Sequence, residues 1–134
     1  MKLEKALNSE NSDDVEEALY ADPVDDPKYI EVLIALLPLE WHKSHEDIAR
    51  YLQLLKPVNA VPVLLNVAQK KFAYLEYDNS LALARKCVWA IADIGTEQSK
   101  EALKSLSVCG DTDVEGYAIK RLQSWDKESA RKRV

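Results

Sequence analysis

Apolar residues recur at steps of three and four along most of this chain, which restricts it to helices that each pack by one face. Between Leu83 and Gly95 the stripe is Ala84, Cys87, Val88, Ile91 and Ile94. Similar stripes run through Ile30, Leu33, Ile34 and Leu37; Ile48, Leu52 and Leu55; Val61, Leu64, Leu65 and Ala68; Ala102, Leu103 and Leu106; and Val114, Ala118, Leu122 and Trp125. The punctuation between them is that of helices. Ser44-His45-Glu46-Asp47 has the spacing of a capping box, Asn59 and Thr96 are placed as N-caps, and Gly95 and Gly110 as stops. The pattern predicts seven or eight short helices and no strand, and three glycines in 134 residues are few for a protein of tight β-turns.

The stripes repeat in pairs. Leu52, Leu55, Pro57 and Leu64 correspond to Ile91, Ile94, Thr96 and Leu103 at an offset of 39, and Cys87, Ile91 and Ile94 to Ala118, Leu122 and Trp125 at an offset of 31. A two-helix unit of this period leaves an apolar face that only its neighbour covers, which predicts an all-α chain wound as a right-handed α-solenoid of about three helix pairs. The divisions expected are a polar N-terminal cap over 1–24, repeats over 27–56, 57–95 and 96–126, and a basic tail over 127–134, all within one domain, 1–134. The difference between the offsets marks an eight-residue insertion, Lys71 to Asp78, that carries Phe72, Tyr74 and Tyr77.

An apolar fraction of 47% is too high for a disordered chain, and 134 residues suffice for one core. The most apolar stretch, Ile30 to Leu39, is interrupted by Glu31 and Pro38 and falls short of the roughly 20 residues a membrane span needs. Met1-Lys2-Leu3-Glu4-Lys5 carries charge where a signal peptide is apolar, so a cytoplasmic location is expected, with Cys87 and Cys109 as inert thiols. Charge is uneven. Residues 1–47 hold 13 acids against four lysines, and the remainder 10 acids against 14 bases. The acidic end either draws in basic partners or merely solvates the first turns and helix N-termini.

Two stretches carry a family resemblance. Leu52-Gln-Leu-Leu-Lys-Pro57-Val-Asn-Ala60-Val-Pro62-Val-Leu64 and Ala90-Ile-Ala-Asp-Ile-Gly95-Thr-Glu-Gln-Ser-Lys-Glu-Ala102-Leu103 are both similar to the turn between successive HEAT repeats, and the likeness extends over about residues 27 to 126. It departs most in the first repeat, where Pro38-Leu-Glu-Trp-His-Lys43 is an atypical turn. At about 100° per residue, Trp89 points away from the core side of its helix, with Lys86 and Asp93 beside it. The offsets map that row onto Asp47, Arg50 and Leu54 before it and Tyr117, Lys120 and Ser124 after it. The HEAT resemblance implies that this row lines a concave binding groove. Tyr74 and Tyr77 of the insertion either cover Trp89 as a lid or add a contact surface at the groove edge, and Phe72 is a further candidate to cover the indole.

Chemistry is sparse. No Gly-rich phosphate cradle is present, and Trp41-His42-Lys43-Ser44-His45-Glu46-Asp47 is the one clustering of His with carboxylates. It lacks the His-Glu-x-x-His of a zincin, and with His42 before the expected cap the two imidazoles need not converge. Neither metal nor cofactor is expected. The expectation is a non-catalytic module that binds another protein, resembling small bacterial HEAT-like immunity proteins that neutralise a cognate toxin, with a basic toxin domain as the candidate partner. The alternatives are a HEAT-like adaptor in a larger assembly or a HEAT-like DNA glycosylase or lyase; the acidic balance argues against nucleic acid.

Overall fold

The computed structural model describes residues 1–21 and 26–127, and no strand occurs among them. The α-helices bounded among the described residues are α1 (Lys2–Ser9), α2 (Ser12–Ala18), α3 (Pro27–Leu36), α4 (His45–Leu55), α5 (Val61–Ala68), α6 (Leu81–Ile94), α7 (Glu97–Leu106) and α8 (Thr112–Gln123). Short 3-10 turns at Val58–Ala60 and Ala73–Asp78 precede α5 and α6. No helix among the described residues is long and apolar enough to cross a membrane. All of the expected tail beyond Lys127 lies outside the described residues, as do Asp22 and Asp25 of the acidic run.

Four helices begin on side-chain caps. Asn11, Asp26, Thr96 and Asp111 each accept a backbone N–H from the first turn that follows, which satisfies a donor the helix cannot. Thr96 is thus the cap its position predicts. Ser44 and Asn59 are not. Ser44 makes no side-chain cap bond; its own N–H donates to His42 Nδ1, and that of His45, the first residue of α4, to the Tyr74 hydroxyl. Asn59 stands exposed in the 3-10 turn, and α5 starts after it with Pro62 in the first turn, where a missing N–H costs nothing. Gly110 is not a helix stop either: α7 ends at Leu106, and Gly110, at φ 96°, turns the connection and donates its N–H to Glu115 Oε2 at 2.9 Å. The stop at Gly95 holds, at φ 72°, and Lys56 takes the same left-handed position after α4 at φ 54°.

Packing centres on α6. It contacts its chain neighbours α5 and α7, and α4 and α8 both lie against it. α1 packs on α2 and α3, and α5 on α7. Residues 1–21, the described part of the expected N-terminal cap, have an apolar side as well as a polar one. They contain two helices, and Leu3, Val15 and the C-cap residue Leu19 are almost wholly buried in the same core as Leu33, Leu52, Leu64, Ile91 and Leu103. Each such side chain contributes about 1.5 to 3 kcal/mol by leaving water, enough to hold a short polar helix pair in place. Lys28 also ties α3 to Glu4 of α1 at 2.9 Å.

Candidate protein-binding face

α6 turns Leu83, Ala84, Cys87, Val88, Ala90, Ile91 and Ala92 into the core, so its outward side falls on Arg85, Lys86, Trp89 and Asp93. Trp89 keeps 38% of its surface in solvent, a large exposure for an indole. Neither Phe72 nor Tyr74 covers it. Arg121 of α8 does, its guanidinium carbon 3.7 Å from the ring centroid. Arg121 itself is only 6% exposed, and Leu122, which the apolar stripe assigns to the core, is half-buried beside it. A guanidinium over an indole is held by the ring's negative face.

Around this stack Arg85, Tyr117 and Lys120 complete a cleft of about 320 Å³. No carboxylate lines it, and Arg85 and Lys120 make no ion pair among the described residues. On α4, Asp47, Arg50 and Leu54 line a smaller cleft of about 130 Å³ together with Tyr20 and Tyr51. Tyr20 donates its hydroxyl to Asp47 Oδ2 at 3.4 Å and packs edge-on to Tyr51 with ring centroids 6.4 Å apart. The adjacent Asp47 carboxylate pushes the Tyr20 phenol above its ordinary range. Lys86 and Asp93 lie between the clefts and join α6 to α4: Lys86 Nζ donates to Glu46 Oε1 and Gln53 Nε2 to Asp93 Oδ2, both at 2.8 Å. Ser124 is the half-buried C-cap residue of α8.

The row predicted from the offsets therefore falls on α4, α6 and α8, but as two clefts with a bonded ridge between them. Arg121, Arg85, Tyr20 and Tyr51 escaped the sequence reading. Arg121 could have been found, since it follows Tyr117 by one helical turn and stands 32 residues after Trp89, one more than the repeat offset.

Tyr77, at 78% exposure, projects from the inserted turn, whereas Tyr74 is half-buried against the core. His42 and His45 are fully buried and stacked with ring centroids 4.1 Å apart, contrary to the expectation that they need not converge. Ser44 N–H donates to His42 Nδ1 at 3.1 Å, so the ring proton sits on Nε2 and is given to Leu36 O at 2.6 Å. His45 donates from Nε2 to Leu39 O at 2.6 Å and accepts at Nδ1 from the Tyr74 hydroxyl at 2.5 Å, while its own backbone N–H donates to the same hydroxyl at 3.4 Å. Both rings are held neutral. Burial drives both pKa values down, that of His45 to about 4, with the neighbouring ring adding to the effect, and burial pushes Tyr74 up to about 12. With every ring nitrogen bonded inside the fold, neither imidazole presents a lone pair or proton to a substrate. Burial likewise pushes the Cys87 thiol up to about 12, which keeps it unreactive. No group of three or more His, Cys, Asp and Glu among the described residues is placed to hold a metal ion.

No protein-family model, curated protein or solved structure matches the chain.

Proposed function

We propose that this chain is a non-catalytic protein-binding module, a right-handed α-solenoid of HEAT-like helix pairs whose α4, α6 and α8 form the docking face. The observation that carries this reading is Trp89, more than a third exposed yet fixed in place by Arg121, because rigid Trp, Tyr and Arg side chains dominate protein interfaces. Contacts across the face support the repeat. Glu46 bonds Lys86 and Gln53 bonds Asp93 across 40 residues, and Trp89 meets Arg121 across 32, each one more than the corresponding offset. Such a shared register is what a stack of equivalent helices would have.

The more specific role is neutralisation of a cognate toxin in the cytoplasm, with a role as assembly adaptor as the rival. Glu16, Tyr20 and Asp47 would give one end of the face an acidic edge for a cationic toxin surface. Photo-crosslinkers at Arg50 and Tyr117, compared with Glu101 and Lys104 on α7, test the face: the partner should be captured from the first pair of positions and not from the second. Trp89→Ala is then expected to cost about 2 kcal/mol or more of affinity. The fold should lose only the stack, about 1 to 2 kcal/mol. A stability loss of about 3 to 5 kcal/mol would make Trp89 a core residue instead, and base release from alkylated duplex DNA would return the glycosylase reading.

A further inference from the structure

α4 brings Asp47, Arg50, Tyr51 and Leu54 to one side, and Tyr20, just past α2, closes them into the smaller cleft of about 130 Å³. Its aromatic wall is built in advance. Tyr29, wholly buried, donates its hydroxyl to Leu19 O at 2.9 Å and stands edge-on to Tyr51 with ring centroids 6.3 Å apart, and Tyr51 in turn meets Tyr20 edge-on. The Asp47 carboxylate lies beside this wall and receives the Tyr20 hydroxyl, while Glu16 stands one helical turn before Tyr20. Asp47 and Glu16 both raise the Tyr20 phenol, so their negative field reaches the ring. The sequence that continues from Tyr20 adds Asp22, Asp25 and Asp26 and no base before Lys28.

We propose that this cleft seats an arginine side chain of the protein partner, its guanidinium against the Tyr20 and Tyr51 rings and bonded to Asp47, its methylene stem over Leu54. The inference rests on the reading of α4, α6 and α8 as a docking face and deepens it by naming the residue received at one end. Charge complementarity argues for the occupant. Aromatic rings attract a cation through their negative faces, and a carboxylate beside them offers the paired acceptors that match a guanidinium. Leu54 and Tyr20 are both exposed, and Arg carries behind its charge an apolar stem that can cover them. Lysine suits the cleft less, because its ammonium is a strongly hydrated point charge without a plane to lay on a ring. The volume takes the end of one side chain and is well below the roughly 300 Å³ at which small-molecule sites begin. Since Tyr29 braces the wall, little order has to be created on binding. Arg50, exposed at the same mouth three residues after Asp47, opposes the occupant by like charge, so its removal should tighten the contact.

The test uses the full chain and acetylated, amidated tripeptides with arginine, lysine, neutral citrulline or glutamate between two glycines. Two-dimensional NMR at low salt follows the Tyr20 and Tyr51 ring signals and the α4 amides. The arginine peptide is expected to move them, the lysine peptide to need a several-fold higher concentration, and the citrulline peptide to leave them in place. Asp47→Asn keeps the shape of the side chain and an oxygen for Tyr20, and should weaken the arginine peptide about tenfold. Arg50→Gln should strengthen it about two- to fivefold, and Tyr20→Phe should still bind it, since the ring stays and Asp47 is released from the phenol. None of these three positions is buried, so each variant should keep the fold, which an unchanged melting curve verifies. Shifts spread along α2 instead, an affinity unmoved by Asp47→Asn, citrulline or lysine binding as tightly as arginine, or the glutamate peptide bound at Arg50 overturns the proposal. So does a concentration-dependent dimer that Asp47→Asn dissolves, since the occupant is then a side chain of a second copy of this chain. Failure of the arginine peptide with retained crosslinking at Arg50 and Tyr117 removes the arginine assignment alone; loss of crosslinking at both positions removes the docking face.

Discussion

Acid should weaken this fold well before its carboxylates are protonated. His45 has an ordinary pKa of 6.5 and is held to about 4 in the folded chain, and His42 is shifted in the same direction. A base whose folded pKa is depressed favours the unfolded state once that state begins to take up the proton. The stabilisation is complete above pH 6.5, declines as pH falls through 6.5, and is fully lost near pH 4. For His45 the loss by pH 5 is about 2 kcal/mol, and His42 adds to it. The groups that face the pair are Tyr74, the Leu36 and Leu39 carbonyls and the Lys70 cation, and none of them supplies the negative charge that would retain an imidazolium. Urea unfolding followed by circular dichroism at half-unit steps from pH 7 to 5 measures the slope, and NMR of the imidazole carbons in the folded protein reads each pKa directly. Tyr74→Phe at pH 7 is a companion perturbation: it strips the Nδ1 atom and the backbone N–H of His45 of a shared partner and should cost about 1 to 3 kcal/mol. Stability that stays flat down to pH 5, or either imidazole titrating near 6.5 in the folded chain, refutes the buried neutral pair.

Thr96→Ala should cost about 1 kcal/mol in chemical denaturation, because the Thr96 hydroxyl accepts the Ser99 N–H at 3.0 Å. Gly95→Ala should destabilise by about 1 kcal/mol, and Lys56→Gly should be neutral or stabilising by up to that amount, since both positions are left-handed and only the first has the residue suited to it. If acids contact the partner, association measured by stopped flow should slow with added salt and after Glu16→Lys with Glu17→Lys; an unchanged rate leaves the acidic run as solvated surface. Asp13 and Asp14 are left intact in that variant because they occupy the first turn of α2, where negative charge supports the helix.

Period and punctuation made the helices legible, because a stripe at three and four residue steps has one physical realisation and Thr96 and Gly95 mark ends whatever lies around them. The failures occur where tertiary contacts replace a local rule. Ser44 matches a capping box yet makes no side-chain cap bond, and the first N–H of α4, on His45, is met by Tyr74, 29 residues further along the chain. Arg121 interrupts an apolar stripe, yet it is buried because its guanidinium covers Trp89 and need not reach water. No periodicity announces the Tyr74 contact, and that of Arg121 is signalled only by its place one residue past the repeat offset from Trp89.

The two anomalies of the sequence explain each other. The atypical turn at Pro38 to Lys43 and the insertion at Lys71 to Asp78 each depart from the repeat, and in the fold they pack together. His45 lies 4.1 Å, centroid to centroid, from Phe72 and is bonded to Tyr74, while Lys70 donates to Pro38 O at 2.8 Å. Trp41, Phe72 and Tyr74 line a crease of about 270 Å³ where the two segments meet. A longer turn after α3 leaves polar backbone groups that the helices cannot satisfy, and the Leu36 and Leu39 carbonyls receive both histidines. The inserted aromatic turn supplies the covering surface those histidines need. Replacing either segment alone with a standard repeat turn should therefore destabilise the chain more than replacing both, a coupling that a double-replacement cycle measures. Additive losses would show that the segments fold independently and that the insertion is free to serve the docking face alone.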